Sequence, residues 1–198
     1  MVTFLYVCDA LSLYAYYETG MAVRKYPETL AKQGKSRHFR RKKTMIKILF
    51  ICHGNICRST MAQSVMQYLV ERRGLSRSFQ IDSAATSREE IGNPVHPGTV
   101  RKLQKENIPV VPHQAVQMRA SDYEEYDYLI GMDSANLRNM RRIVGSDPEK
   151  KMFLLLKFAG EEGDIADPWY TGNFEDTYRD VRLGCEGLLK YLSKEHPC

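Results

Sequence analysis

The 198-residue chain is 43% hydrophobic and 27% charged, with 13 Gly and 8 Pro, a balance that excludes a disordered polymer and a low-complexity array. At roughly 100–200 residues per domain it holds one substantial domain and excludes barrels, propellers and multi-module machines. The net charge of +5 is unevenly placed, with +6 on residues 1–44 and −1 on residues 45–198, so the body of the chain implies no basic face and no nucleic-acid partner.

The chain opens on the apolar run FLYVCDALSLYAYY, which Asp9 interrupts and which falls short of the ~20 residues of a membrane-spanning helix. It lacks the basic segment and small-residue cleavage site of a signal peptide. The front segment closes on Arg37-His38-Phe39-Arg40-Arg41-Lys42-Lys43, after which the pattern changes abruptly to KILFI. Residues 1–44 therefore read as a basic, poorly ordered extension, with Met45 a natural start for a domain at 45–198. Five scattered cysteines, Cys8, Cys52, Cys57, Cys185 and Cys198, give neither paired zinc spacing nor a secreted disulfide framework. The expected setting is the reducing cytoplasm.

From Lys47 onward short apolar runs alternate with helical periodicities, the βαβ pattern of a parallel sheet covered on both faces. Strands are predicted at Lys47–Ile51, Phe79–Asp82, Tyr128–Met132 and Met152–Leu156. Between the first two, Met61, Val65, Tyr68 and Leu69 recur at helical spacing, and the pattern stops at Gly74. Pro97 opens a second helix. Leu137, Met140 and Val144 mark a third, and Phe174, Tyr178, Val181, Cys185, Leu188 and Leu192 a long terminal one. The expected fold is α/β: a doubly wound four-stranded parallel sheet with helices on both faces and a phosphate-binding loop after the first strand.

That loop lies in KILFI-CHGNICRS-TMAQSVMQYLV, which reads as buried strand, polar loop and amphipathic helix. A loop that wraps into a helix N-terminus presents backbone N–H groups and the positive end of the helix dipole, a ready anion site. GNICRS lacks the Gly-Lys-Ser/Thr ending of a Walker loop. Instead Arg58 offers a planar fork for two oxygens, and Cys52 can aim its sulfur at phosphorus from beneath. Five intervening residues can curl with their amides inward, and those amides, the dipole and Arg58 favour a thiolate. Ser59 can donate to the sulfur, and Gly54 and Asn55 tolerate left-handed backbone angles.

CHGNICRS resembles the signature loop of the low molecular weight protein tyrosine phosphatases, Cys-x-Gly-Asn-x-Cys-Arg-Ser. Asp82-Ser83-Ala84-Ala85-Thr86-Ser87, Ile91-Gly92-Asn93-Pro94, Met132-Asp133-Ser134-Ala135-Asn136-Leu137 and Asp167-Pro168-Trp169-Tyr170 agree in order, so the resemblance spans about residues 46–194. It implies Cys52 as nucleophile, Arg58 as phosphate clamp and Asp167 as general acid, with Pro168 stiffening its loop. The implied phosphate cradle takes His53, Gly54, Asn55, Ile56, Cys57 and Ser59. Trp169 and Tyr170 would flank the pocket mouth with His53. Asn55, Ser59, Ser83 and His113 resemble the polar network that holds the loop in shape. No cofactor or metal is implied; the implied partners are tyrosine-phosphorylated proteins, and the chain would be a monomer or weak homodimer. Thr60 departs from the proline common after the signature serine, and His53 occupies a variable position. Cys57 is open between small-residue packing and a thiol that captures an oxidised Cys52 as a reversible disulfide.

Three alternatives share the loop or the fold. Arsenate reductases use a downstream cysteine pair, and none stands between Cys57 and Cys185. Protein arginine phosphatases place Thr before the second loop cysteine, where Ile56 stands here. A non-catalytic phosphate-binding module would be expected to lack Cys52 or Asp167.

Overall fold

A computed structural model describes residues 45–195; the expected extension at 1–44 and Cys198 lie outside the described residues. The elements run β1 (Ile46–Cys52), α1 (Arg58–Arg72), β2 (Phe79–Ala85), α2 (Pro97–Lys105), α3 (Asp122–Glu125), β3 (Tyr128–Gly131), α4 (Ser134–Val144), β4 (Met152–Leu154), α5 (Pro168–Thr171) and α6 (Phe174–Glu195), with 3-10 turns at Ser76–Ser78 and Leu155–Ala159. The four strands form one parallel sheet in the order β2-β1-β3-β4.

β1 is an inner strand on which both faces depend. Its side chains alternate between two cores. Ile48, Phe50 and Cys52 pack with Met61, Val65, Val181 and Leu188 of α1 and α6, while Leu49 and Ile51 pack with Tyr123 of α3 and Met140 of α4. A strand apolar on both sides needs helices on both sides, as the unbroken KILFI run requires.

β1 is one residue longer at each end than expected, and three further boundaries differ. β2 runs on to Ala85, in register with Cys52 of β1. β3 stops at Gly131 because the Met132 N–H is taken by Asn136 Oδ1 of α4 at 3.1 Å. β4 ends at Leu154, and Leu155 and Leu156 turn into a 3-10 segment. That turn lies against α6 at two glycines: a Cβ on Gly184 would fall 2.5 Å from Leu155 Cγ, and one on Gly187 2.4 Å from the Phe158 carbonyl oxygen.

Chain order and strand order part company at β1. β2 lies on one side of it and β3 on the other, and the crevice beyond the carboxyl ends at such a switch point is where open α/β sheets bind ligands.

On helix propensity alone, Gly187→Ala would stabilise α6 by about 1 kcal/mol. A backbone oxygen cannot swing aside, so steric overpacking of ~1–3 kcal/mol is expected to win, giving a net loss in urea denaturation; a gain would show that the close approach does not constrain the helix.

Candidate active site

The loop from Cys52 to Arg58 leaves β1 at that carboxyl edge and closes into α1. Asn55 adopts a left-handed φ of 59°, which asparagine tolerates better than most side chains. Its backbone N–H donates to Cys52 Sγ at 3.2 Å. Its side chain is fully buried and uses its whole capacity of two donors and two lone pairs. Nδ2 donates to Ser59 Oγ and Ser83 Oγ, each at 2.9 Å, while Oδ1 accepts from Val116 N–H at 3.0 Å and from His113 Nε2 at 2.6 Å.

The Val116 backbone can only donate, so the carboxamide has one orientation. Ser83 Oγ donates onward to Gln63 Oε1 at 2.7 Å, and Gln63 Nε2 to the Ile81 carbonyl at 3.1 Å. Ser59 Oγ accepts from Asn55, leaving its hydroxyl hydrogen for Cys52 Sγ at 3.1 Å. Two donors therefore face the sulfur.

Arg58 is 2% exposed. Nη1 donates to Asp133 Oδ2 at 2.5 Å and to the Ile165 carbonyl at 3.1 Å, and Nη2 pairs with Asp167 Oδ2. Burial works against the guanidinium charge, but Cys52, Asp167 and Asp133 outweigh it and hold the group more firmly charged than usual. Nε is buried without a hydrogen-bond partner. Both carboxylates are tied to helix starts: Asp133 Oδ1 accepts from Asn136 N–H at 2.6 Å, and Asp167 Oδ1 from Trp169 N–H at 3.1 Å.

A pocket opens over Cys52, lined by His53, Gly54, Ile56 and Cys57 of the loop, Asp167, Trp169 and Tyr170 of the following turn, and Glu89 and Glu90 from the segment after β2. Trp169 and Tyr170 are 56% and 80% exposed and stand at the mouth of this pocket. Burial pushes the Cys57 thiol up to about 12, with Cys52 and Asp167 adding to it. The thiol packs beside Ile56 and Ala115.

Every residue singled out in the sequence converges here, although Asn55 and Ser59 serve from beneath the loop. Sequence reasoning missed Asp133, Gln63, Glu89 and Glu90. Asp133 carried a signal, an aspartate three residues before Asn136 at a helix start. Gln63 carried none. Glu89 takes His53 Nε2 at 3.0 Å, and Gly54 admits Glu90, whose Cγ would lie 3.0 Å from a Cβ there.

Residues 47–197 match the family model described as "Low molecular weight phosphotyrosine protein phosphatase". The chain belongs to this family. It is 38% identical over 153 residues to the low molecular weight protein-tyrosine-phosphatase YfkJ of Bacillus subtilis, covering 76% of this chain and 98% of that protein. The crystal structure of YfkJ superposes with a TM-score of 0.74, covering 76% of this chain and 96% of that one. The low molecular weight protein tyrosine phosphatase SP-PTP of Streptococcus pyogenes is 41% identical with a TM-score of 0.69, over 77% of this chain and 97% of that one. The chain is accordingly a protein-tyrosine phosphatase. No helix among its described residues is long and apolar enough to cross a membrane.

Burial holds His113 below the ordinary histidine range. The folded protein therefore binds this proton less readily than the unfolded chain, so the associated stability is full above about pH 6.5 and is lost as pH falls below it toward the lower folded value. His113→Gln keeps an N–H donor for Asn55 without this titration. It is expected to flatten the fall in urea stability between about pH 7 and pH 5; identical slopes would count against the assignment.

Proposed function

We propose that Cys52 is the nucleophile, Arg58 the phosphate clamp and Asp167 the general acid and base of a two-step phosphotyrosine hydrolysis. The observation that carries this reading is the sulfur itself: it faces two donors at the floor of a pocket whose wall includes Asp167, the carboxylate paired to Arg58.

In the first step the Cys52 thiolate attacks phosphorus in line, the bond to the tyrosyl oxygen breaks, and Asp167 delivers a proton to that oxygen. The loop amides and Arg58 take up the equatorial charge. The unpartnered Arg58 Nε–H is a donor that a phosphoryl oxygen satisfies. In the second step water attacks the phosphocysteine, Asp167 accepts its proton, and inorganic phosphate leaves with the thiolate restored. His53, Trp169 and Tyr170 flank the aromatic ring at the mouth. Proteins phosphorylated on tyrosine, whose side chain is long enough to bring phosphate down to the sulfur, are the substrates. Initial rates on phosphotyrosine, phosphoserine and phosphoarginine peptides test this directly: phosphotyrosine should be strongly preferred, and a preference for phosphoarginine would transfer the assignment to the alternative.

Cys52→Ser is expected to abolish turnover while still binding inorganic phosphate or vanadate, since Arg58 and the amides remain. Retention of more than about 1% of activity would remove Cys52 from its role, because losing a covalent nucleophile costs several powers of ten. Asp167→Asn should slow hydrolysis of phosphotyrosine far more than that of dinitrophenyl phosphate, whose leaving group needs little protonation; equal losses on both esters would argue against the acid.

A further inference from the structure

His96 stands outside the signature loop and the acid turn, yet it touches both. Its backbone N–H donates to the Ile56 carbonyl of the loop at 2.9 Å. Its ring stacks on Phe174, the first residue of α6, with centroids 5.2 Å apart and planes 7° from parallel. The edge of Trp169 meets the same ring at 5.8 Å and 73°. Trp169 in turn is bound through its N–H to the Asp167 carboxylate. The ring is held from behind as well, since His96 Nδ1 accepts the Gly98 N–H at 3.0 Å and caps α2. Gly98 itself makes room for this stack: a Cβ there would fall 2.3 Å from the Phe174 ring.

We propose that the His96 imidazole is a positioning residue that spaces the Asp167 turn from the phosphate loop and so aims the acid at the leaving oxygen. The proposal rests on Asp167 being the general acid. The chain entering that turn is tied through Ile165, Ala166 and the buried Pro168, but these contacts stop short of the Asp167 carboxylate. α5 is a four-residue helix whose two aromatics are exposed, and among the described residues the Asp167 side chain otherwise bonds the loop through Arg58. A carboxylate held at one end by a guanidinium can still pivot; a residue whose backbone N–H is fixed to the loop and whose ring packs against Trp169 restricts that pivot. Small misplacements of a reacting group cost as much as a hundredfold in rate.

Two substitutions separate the ring from the cap. His96→Asn keeps a helix-capping acceptor but removes the stack, whereas His96→Phe keeps a ring and loses the acceptor. The measurement is kcat/KM on phosphotyrosine, a poor leaving group, and on dinitrophenyl phosphate, a good one, with inhibition by inorganic phosphate alongside. His96→Asn is expected to lose about tenfold on phosphotyrosine, as two aromatic contacts allow, and less than about twofold on dinitrophenyl phosphate, with phosphate inhibition unchanged. His96→Phe should restore most of the loss, and His96→Asn should add nothing in an Asp167→Asn background. Equal loss on both esters, weakened phosphate inhibition, or full additivity with Asp167→Asn would overturn the proposal. If His96→Asn does not fold, His96→Phe decides alone: wild-type dependence on the leaving group supports a role for the ring, and a steeper one refutes it. Equal losses on both esters in Asp167→Asn itself would mark the failure as that of the general acid, and the proposal would fall with it.

Discussion

The Asn55 carboxamide has no unused hydrogen-bonding capacity, and the whole site is built around that saturation. Its oxygen is pinned by the Val116 backbone and His113, its nitrogen by two serines, so neither the side chain nor the left-handed backbone beneath it can relax. Direction then propagates: Ser59 accepts from Asn55, and its hydroxyl hydrogen is free to point at a Cys52 thiolate. A buried network satisfied at every member specifies one arrangement, whereas a half-satisfied one costs stability and loses definition. Hydrogen bonds from below thus hold the loop in shape.

Charge is handled by the same economy of partners. A buried guanidinium is costly unless its donors are met, and Arg58 meets its charge with two carboxylates from separate loops, Asp133 beyond β3 and Asp167 ahead of α5. The topology makes this possible. With β1 flanked by β2 and β3, the carboxyl ends of three strands deliver Ser83, Arg58 and Asp133 to one crevice, and each carboxylate is fixed by a helix N–H. Arg58 therefore serves the fold and the chemistry at once, since the side chain that balances it as a carboxylate is, once protonated, the proton donor of the proposed mechanism.

Much of this was legible from the order of residues. The KILFI run announced a strand buried on both faces, and Cys52, Arg58 and their small, permissive neighbours announced an anion loop at a helix start; both signals are local and periodic. What escaped was set by tertiary contact. The end of β4 depends on Gly184 and Gly187, some thirty residues downstream, letting α6 approach the Leu155–Ala159 turn. Gln63 looks like any polar residue on a helix until Ser83 is brought against it. Glu89 and Glu90 carry no pattern that links them to a pocket, and His96 becomes informative only when Phe174 and Trp169 close around its ring. Asp133 was visible as a helix cap, but its pairing with Arg58 joins residues 75 positions apart, which no local spacing encodes.

In the proposed mechanism the phosphoryl group passes through the sulfur of Cys52. Acid quenching during steady-state turnover of a phosphotyrosine peptide, followed by mass spectrometry of the loop peptide, tests it most directly. The account requires the mass of one phosphoryl group on that peptide, with fragmentation localising it to Cys52 and not to Cys57 or His53. An unmodified Cys52 at a point where phosphate is being released, or a phosphoryl group localised to His53, would contradict it.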